Sequence, residues 1–241
     1  MYVVNLLSYV GIILLYLSQF TQYSVEHDRQ KQTDYIQEEY TRSAVKIPEW
    51  SQVISVMLSV GRFDAVVDFS AYSARAIREA TTLLRHKAHI YVHISTDSVY
   101  DVCDPDRRAA GPVREEDSVR PDDKGLRDLL STHHDYGHRK LEAEEELVTQ
   151  RYNHSDERLG IPYVILRLPD VLGPRDTTYR FWLYQLWVRL AAVLPERPVT
   201  IPKFLVDQEN SFVFVDDVAK VVVDAVEAGP NDQSFTDQVV V

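Results

Sequence analysis

From residue 64 onward, short runs of apolar residues alternate with stretches whose apolar positions recur every third or fourth residue. The runs DAVVDFSAY (64–72), HIYVHIST (89–96), PYVILRL (162–168) and SFVFV (211–215) have strand length and are apolar on both faces. Between them, SARAIREATTLLRH (73–86) and DYGHRKLEAEEEL (135–147) carry helical spacing, as does the long aromatic stretch TTYRFWLYQLWVRLAAVL (177–194). The acidic start of DDVAKVVVDAVEA (216–228) and the Gly229-Pro230 pair after it mark a final amphipathic helix and its end. Strands that are apolar on both faces and separated by helices predict an α/β domain, a doubly wound parallel sheet with helices on both sides.

The first twenty residues break this rhythm. MYVVNLLSYVGIILLYLSQF has no charged side chain, and the first basic side chain is Arg29. A run of about 20 apolar residues can span a bilayer, but Asn5, Ser8, Ser18 and Gln19 dilute this one. A basic leader region and a small-residue cleavage site are not evident. Three readings stay open: a buried packing segment, a membrane anchor or signal, and a sequence artefact. The expected division is residues 1–24 as a hydrophobic segment of uncertain role and residues 25–241 as the α/β domain.

Composition narrows the partners. The 241 residues are 45% hydrophobic, enough for a sizeable core in one large domain. The net charge of -11 argues against a nucleic-acid backbone, which demands clustered Lys and Arg. A single cysteine, Cys103, removes an internal disulfide and cysteine-rich metal sites. His133, His134 and His138 read as solvated rather than as metal ligands, so no metal is expected. A cytoplasmic protein is the default, with a membrane-anchored one through residues 1–20 as the alternative. The expected partners are a small-molecule substrate, a membrane contact through residues 1–20 and a homodimer, with the aromatic helix residues Phe181, Trp182, Tyr184 and Trp187 read as core or subunit contacts.

One helix carries candidate chemistry. Tyr136 and Lys140 are four residues apart, hence neighbours on a helix face. Tyr136, Lys140, Ala143 and Leu147 form one stripe, while the glutamates 144–146 read as a solvated face. A lysine on an inward stripe needs a reason, and a neighbouring hydroxyl to polarise is one. A phenol ionises near pH 10, so acting as a base near neutrality costs roughly 4 kcal/mol, which a cation nearby can partly supply. The plainer reading is a tyrosine packed on a lysine stem. Thr96, at the end of the second strand, stands where open parallel sheets place ligand-binding groups.

Five segments in this order resemble the extended short-chain dehydrogenase/reductases, the NAD-dependent epimerase/dehydratase group. DAVVDFSAY resembles the strand whose end lies beside the dinucleotide, and ISTDSVYD (94–101) the serine/threonine motif with Thr96 at the catalytic hydroxyl position. YGHRK (136–140) resembles the Tyr-x-x-x-Lys pair, LRLPDVLGPRD (166–176) the arginine-to-Gly-Pro stretch, and FVFVDDVA (212–219) a late structural motif. The resemblance covers about residues 64–235. It implies a Rossmann-like fold with a small C-terminal substrate region and an NAD- or NADP-dependent oxidoreductase or epimerase. The expected substrate is a secondary alcohol or ketone of a sugar or nucleotide-sugar. It implies Thr96, Tyr136 and Lys140 as catalytic residues. Asp28, Phe69, Ser70, Ala71, Lys140 and Pro169 would bind the cofactor, and Asp97, Ser98, Asp170 and Arg175 would face the substrate. Members that eliminate water carry Glu after the Asp; Ser98 stands there, which puts epimerisation or carbonyl reduction ahead of dehydration.

The chain departs from that pattern at its start. The family opens on a strand and a glycine loop whose backbone approaches the pyrophosphate, but before residue 61 the sole glycine is Gly11. VEHDRQKQTDY (25–35) corresponds to a third strand and its acidic turn, leaving about 24 residues for a strand-helix-strand unit that needs more. The fold is therefore expected to be incomplete at the N-terminus. Each lost charge-assisted hydrogen bond to phosphate removes about 1.5–3 kcal/mol. The alternative function is accordingly a catalytically inactive dehydrogenase-like scaffold acting as a binding or regulatory protein.

Overall fold

The structure is a computed structural model. It describes the backbone of residues 2–4 and 12–16, and residues 62–108, 112–152, 160–174, 176, 178–194, 196, 200, 202–203, 209–232 and 235–240. Two compact units emerge, one made of residues 1–167 with 224–241 and the other of residues 168–223.

The described strands are β1 (Tyr2–Val4), β2 (Ile12–Tyr16), β3 (Phe63–Asp68), β4 (Ala88–Thr96), β5 (Tyr163–Leu168), β6 (Asp170–Leu172), β7 (Phe212–Phe214) and β8 (Gln238–Val240). The helices of more than one turn are α1 (Ala74–Leu84), α2 (Lys124–His133), α3 (Asp135–Tyr152), α4 (Arg180–Val193) and α5 (Val215–Ala228). Six strands form the main sheet in the order β1-β2-β3-β4-β5-β8. β3 and β4 run parallel, with Asp68 opposite His93, and β5 and β8 run parallel, with Ile165 opposite Val239. The predicted parallel sheet with flanking helices is thus the observed architecture. The N-terminal strands add an antiparallel edge, β1 to β2 and β2 to β3. Among the described residues, no helix is long and apolar enough to cross a membrane.

Parallel neighbours need a crossover, and α1 supplies it between β3 and β4. Ser73 starts that helix by accepting a hydrogen bond from the Ala76 amide at 3.3 Å. Its inward stripe is Ile77, Thr81 and Leu84. Val66, Tyr91 and Ile165 from the strands pack with Ile77 and Leu84 of α1 and with Ala143 and Leu147 of α3. Two helices therefore lie side by side on one sheet face, and the exposed Arg78–Glu146 pair, at 2.6 Å, joins their outer edges.

The first predicted strand ends earlier than its apolar pattern implied, at Asp68 rather than at residue 72. The Asp68 carboxylate accepts hydrogen bonds from the amides of Ser70 at 2.8 Å and Ala71 at 3.0 Å, and that local pairing turns the chain out of the sheet.

In the second unit, β6 pairs in parallel with β7, Asp170 opposite Phe212. The expected core role of the α4 aromatics is corrected here: Phe181, Trp182, Tyr184 and Trp187 are all exposed. A helix with apolar residues on most of its circumference, interrupted by Gln185 and Arg189, presents more surface than the two three-residue strands of this unit can cover.

Candidate active site

β4 ends on Thr96, which is buried, and its hydroxyl caps the 3-10 turn Asp97–Val102. The Thr96 Oγ1 accepts from the Ser98 amide at 3.2 Å and donates to Asp97 Oδ1 at 3.3 Å. Burial pushes the Asp97 carboxyl above its ordinary range, against the hydrogen bond from Thr96.

α3 enters directly beside this turn. Gly137 packs so closely on the Ser98 backbone that a Cβ there would overlap the Ser98 carbonyl oxygen. That approach seats the start of α3, with Tyr136 as its second residue, on the turn that follows β4. Tyr136 is 46% exposed, and its ring lies 5.8 Å from that of Tyr72, tilted by 56°. As an early residue of the helix it also sits at the positive end of the peptide dipoles.

One turn later Lys140 is 3% exposed. Its Nζ donates to the carbonyls of Ala71 and Ile94, both at 2.9 Å, and lies 4.7 Å from the centre of the Tyr72 ring. Burial lowers the Lys140 pKa from its ordinary value, with Asp68 and Glu144 pulling it back up. The expected stripe is real at Lys140, Ala143 and Leu147, which are all buried. Tyr136, at its head, opens to solvent.

The turn expected to line the cofactor follows β3. Phe69 is exposed, Ser70 donates its hydroxyl to Asp68 Oδ1 at 2.9 Å, and Ala71 is buried. Below it, the Tyr91 hydroxyl donates to Asp68 Oδ2, and burial followed by that carboxylate raises the Tyr91 phenol well above its usual range. His93 is fully buried, with neither ring nitrogen hydrogen-bonded among the described residues. Burial and then the Lys140 charge drive its pKa down to about 3, against Asp68, so the ring is neutral.

A second polar knot corrects the reading of the glutamate run. Glu144 is 3% exposed, not solvated. It accepts the Ser95 hydroxyl and a two-pronged guanidinium from Arg167, whose shortest contact with it is 2.6 Å. Arg167 also donates to the Tyr100 hydroxyl at 2.9 Å, the Glu115 carbonyl at 3.1 Å and Ser118 Oγ at 2.8 Å. Glu145 and Glu146 do lie farther out, paired with Arg120 and Arg78. The spacing that faces Lys140 inward also turns Glu144 inward, and a buried carboxylate requires such a partner.

The structure therefore gathers Thr96, Asp97, Ser98, Tyr136, Lys140 and the Phe69–Ala71 turn in the first unit. Pro169 and Asp170 belong to the second unit, and Asp28 and Arg175 lie outside the described residues. The second unit has its own hollow of about 1120 Å³, lined by Leu172, Pro174, Tyr179, Trp182 and Phe214 among others. Tyr72, Asp68, His93, Gly137, Glu144 and Arg167 escaped the sequence-based site; Gly137, a glycine inside a helix, and Arg167, the arginine that opens the stretch up to Gly173-Pro174, had a visible signal. His138 contacts Arg120 at 3.0 Å and Glu142 at 3.4 Å. Among the described residues, no group of three His, Cys, Asp or Glu side chains gathers as it would around a metal ion.

Among solved structures, the chain is similar to a short-chain dehydrogenase/reductase superfamily protein from Agrobacterium tumefaciens with bound NAD (16% identity, TM-score 0.48, covering 79% of this chain and 62% of that one). It is also similar to the UDP-glucuronic acid 4-epimerase of Bacillus cereus in complex with UDP-glucuronic acid and NAD (20% identity, TM-score 0.48, 87% and 63%). A third is the Helicobacter pylori ADP-L-glycero-D-manno-heptose-6-epimerase (19% identity, TM-score 0.46, 77% and 54%). The chain spans less than two thirds of the length of each. No curated protein matches it. The sequence model of the NAD dependent epimerase/dehydratase family matches residues 22–237, taking in β3 to β5 and the helix that carries Tyr136 and Lys140. With that match over most of its length, the chain belongs to the NAD dependent epimerase/dehydratase family.

Proposed function

We propose that the protein is an NAD(P)-linked oxidoreductase or epimerase acting on a secondary alcohol or ketone of a sugar or nucleotide-sugar. The observation that carries this reading is Lys140, a buried lysine held by carbonyl oxygens beside two strand ends, one helical turn from Tyr136. The donor set suits a sugar-bearing cofactor: an ammonium and the hydroxyls of Ser70, Thr96 and Tyr136 are what ribose hydroxyls and a substrate oxygen require. Lys140 and the turn Phe69, Ser70, Ala71 would hold the nicotinamide end, with Asp28 and Pro169 assigned by family pattern alone. A nicotinamide dinucleotide, when bound, accepts or returns the hydride.

This chain's own residues handle the proton. Tyr136, as phenolate, takes the proton of the substrate hydroxyl as the carbon-bound hydrogen leaves with its electron pair, and gives it back in the reverse direction. Lys140 and the helix N-terminus favour the phenolate. Thr96 orients the substrate oxygen, for which it must turn its hydroxyl away from Asp97. Asp97, Ser98, Asp170 and Arg175 are the proposed substrate-facing residues. Ser98 offers a hydroxyl rather than a second carboxyl acid, which favours epimerisation or carbonyl reduction over loss of water.

A second reading has an observation of its own. The Tyr72 ring stands over Lys140 and the Thr96 hydroxyl is engaged as a cap, as in a scaffold that no longer turns over. Titration of the purified chain with NADH and NADPH, read by fluorescence, separates the two: saturable binding supports the enzyme, and none leaves the scaffold. Given binding, Tyr136→Phe should lower turnover on a panel of UDP-sugars by about 10²–10⁴-fold while leaving dinucleotide affinity nearly unchanged.

A further inference from the structure

Tyr72 follows the turn organised by Asp68 and precedes Ser73, the cap of α1. It is 53% exposed, so one side of its ring faces solvent. The other side covers the Lys140 ammonium at 4.7 Å, and the ring leans on Tyr136 at 5.8 Å. An ammonium has three N–H groups. Two are taken by the Ala71 and Ile94 carbonyls, and the aromatic face stands over what remains, leaving Lys140 3% exposed.

A sugar hydroxyl can reach Nζ only if that ring moves. We propose that Tyr72 is a gate over Lys140, closed on the ammonium when the site is empty and swung outward when a ribose hydroxyl bonds to it. An aromatic residue suits the task, because the electron-rich face replaces part of the lost solvation of the cation while the gate is shut. A contact of this kind at the surface is weak enough to exchange for a hydrogen bond. The other groups that face Lys140 are Asp68 and His93 from the sheet and Glu144 from its own helix, and all three are buried. Tyr72 is the exposed member of the set.

This gate serves the dinucleotide reading above and can be tested apart from it. The first measurement is acylation of the full chain with no ligand added, Lys140 being scored by mass spectrometry against the exposed Lys124. Wild type should label slowly at Lys140, Tyr72→Ala faster by about two- to fivefold, the factor a surface cation–π contact holds closed, and Tyr72→Phe as slowly as wild type. Equal labelling of wild type and Tyr72→Ala, or a Tyr72→Phe variant as fast as Tyr72→Ala, overturns the gate. The second measurement is NADH titration. A closed gate taxes apparent affinity, so Tyr72→Ala should bind more tightly by the same factor. Weaker binding would make the ring part of the ligand platform and overturn the proposal. Should none of the variants bind NADH, the dinucleotide reading falls, and the labelling ratio still decides the gate.

Discussion

His93 shows how far a single side chain can be set by its surroundings. It lies opposite Asp68 in the sheet, faces Lys140, and has both nitrogens unpaired among the described residues. Its folded pKa of about 3 is below the ordinary value of 6.5, so the unfolded chain binds the extra proton first as pH falls. The neutral ring's contribution is fully present above the unfolded value and is lost as pH drops toward the folded one, at up to about 1.4 kcal/mol per pH unit. Urea midpoints measured across that window should therefore slope more steeply for wild type than for His93→Leu. At neutral pH the leucine variant should be as stable or more so, since it removes two unsatisfied buried atoms. Equal slopes would show that His93 protonates without unfolding the sheet.

At the scale of elements, the seating of α3 on the 3-10 turn after β4 decides the geometry of the site. Helix propensity alone favours alanine over glycine by about 1 kcal/mol. At Gly137, however, the new Cβ would meet the Ser98 carbonyl, backbone on backbone, and neither side can yield by a rotamer change. Gly137→Ala should thus destabilise by about 1–3 kcal/mol net in urea denaturation, the packing term outweighing the propensity. On the proposed mechanism it should also lower turnover more than stability suggests, because Tyr136 immediately precedes Gly137 and small displacements of reacting groups are costly. The helix itself was legible from its inward stripe of Lys140, Ala143 and Leu147. Its inward Glu144 was not, because a glutamate within a run of three looks the same in sequence whether a guanidinium waits for it or water does.

At the scale of the molecule, Arg167 ties the first unit together, joining β5 to α3, to Tyr100 in the 3-10 turn and to the Glu115–Ser118 segment. Arg167→Met would leave Glu144 buried without its cation, a loss of about 3–5 kcal/mol read as a drop in the urea midpoint, whereas Glu144→Leu with Arg167→Met should recover most of it. Failure of the double variant to recover would make Arg167's other hydrogen bonds the larger share. Chain order and periodicity sufficed for the alternation of strands and helices around a parallel sheet and for the inward stripe of Lys140, Ala143 and Leu147, while the grouping of Thr96 with Tyr136 and Lys140 came from resemblance to a family. The alternation and the stripe are local properties, written in residues a few positions apart. What covers the Lys140 ammonium, what answers Glu144 and why His93 is neutral depend on segments 20 to 70 residues apart in the chain meeting in space. Burial and pairing at that range arise from packing, so tertiary structure alone decided them.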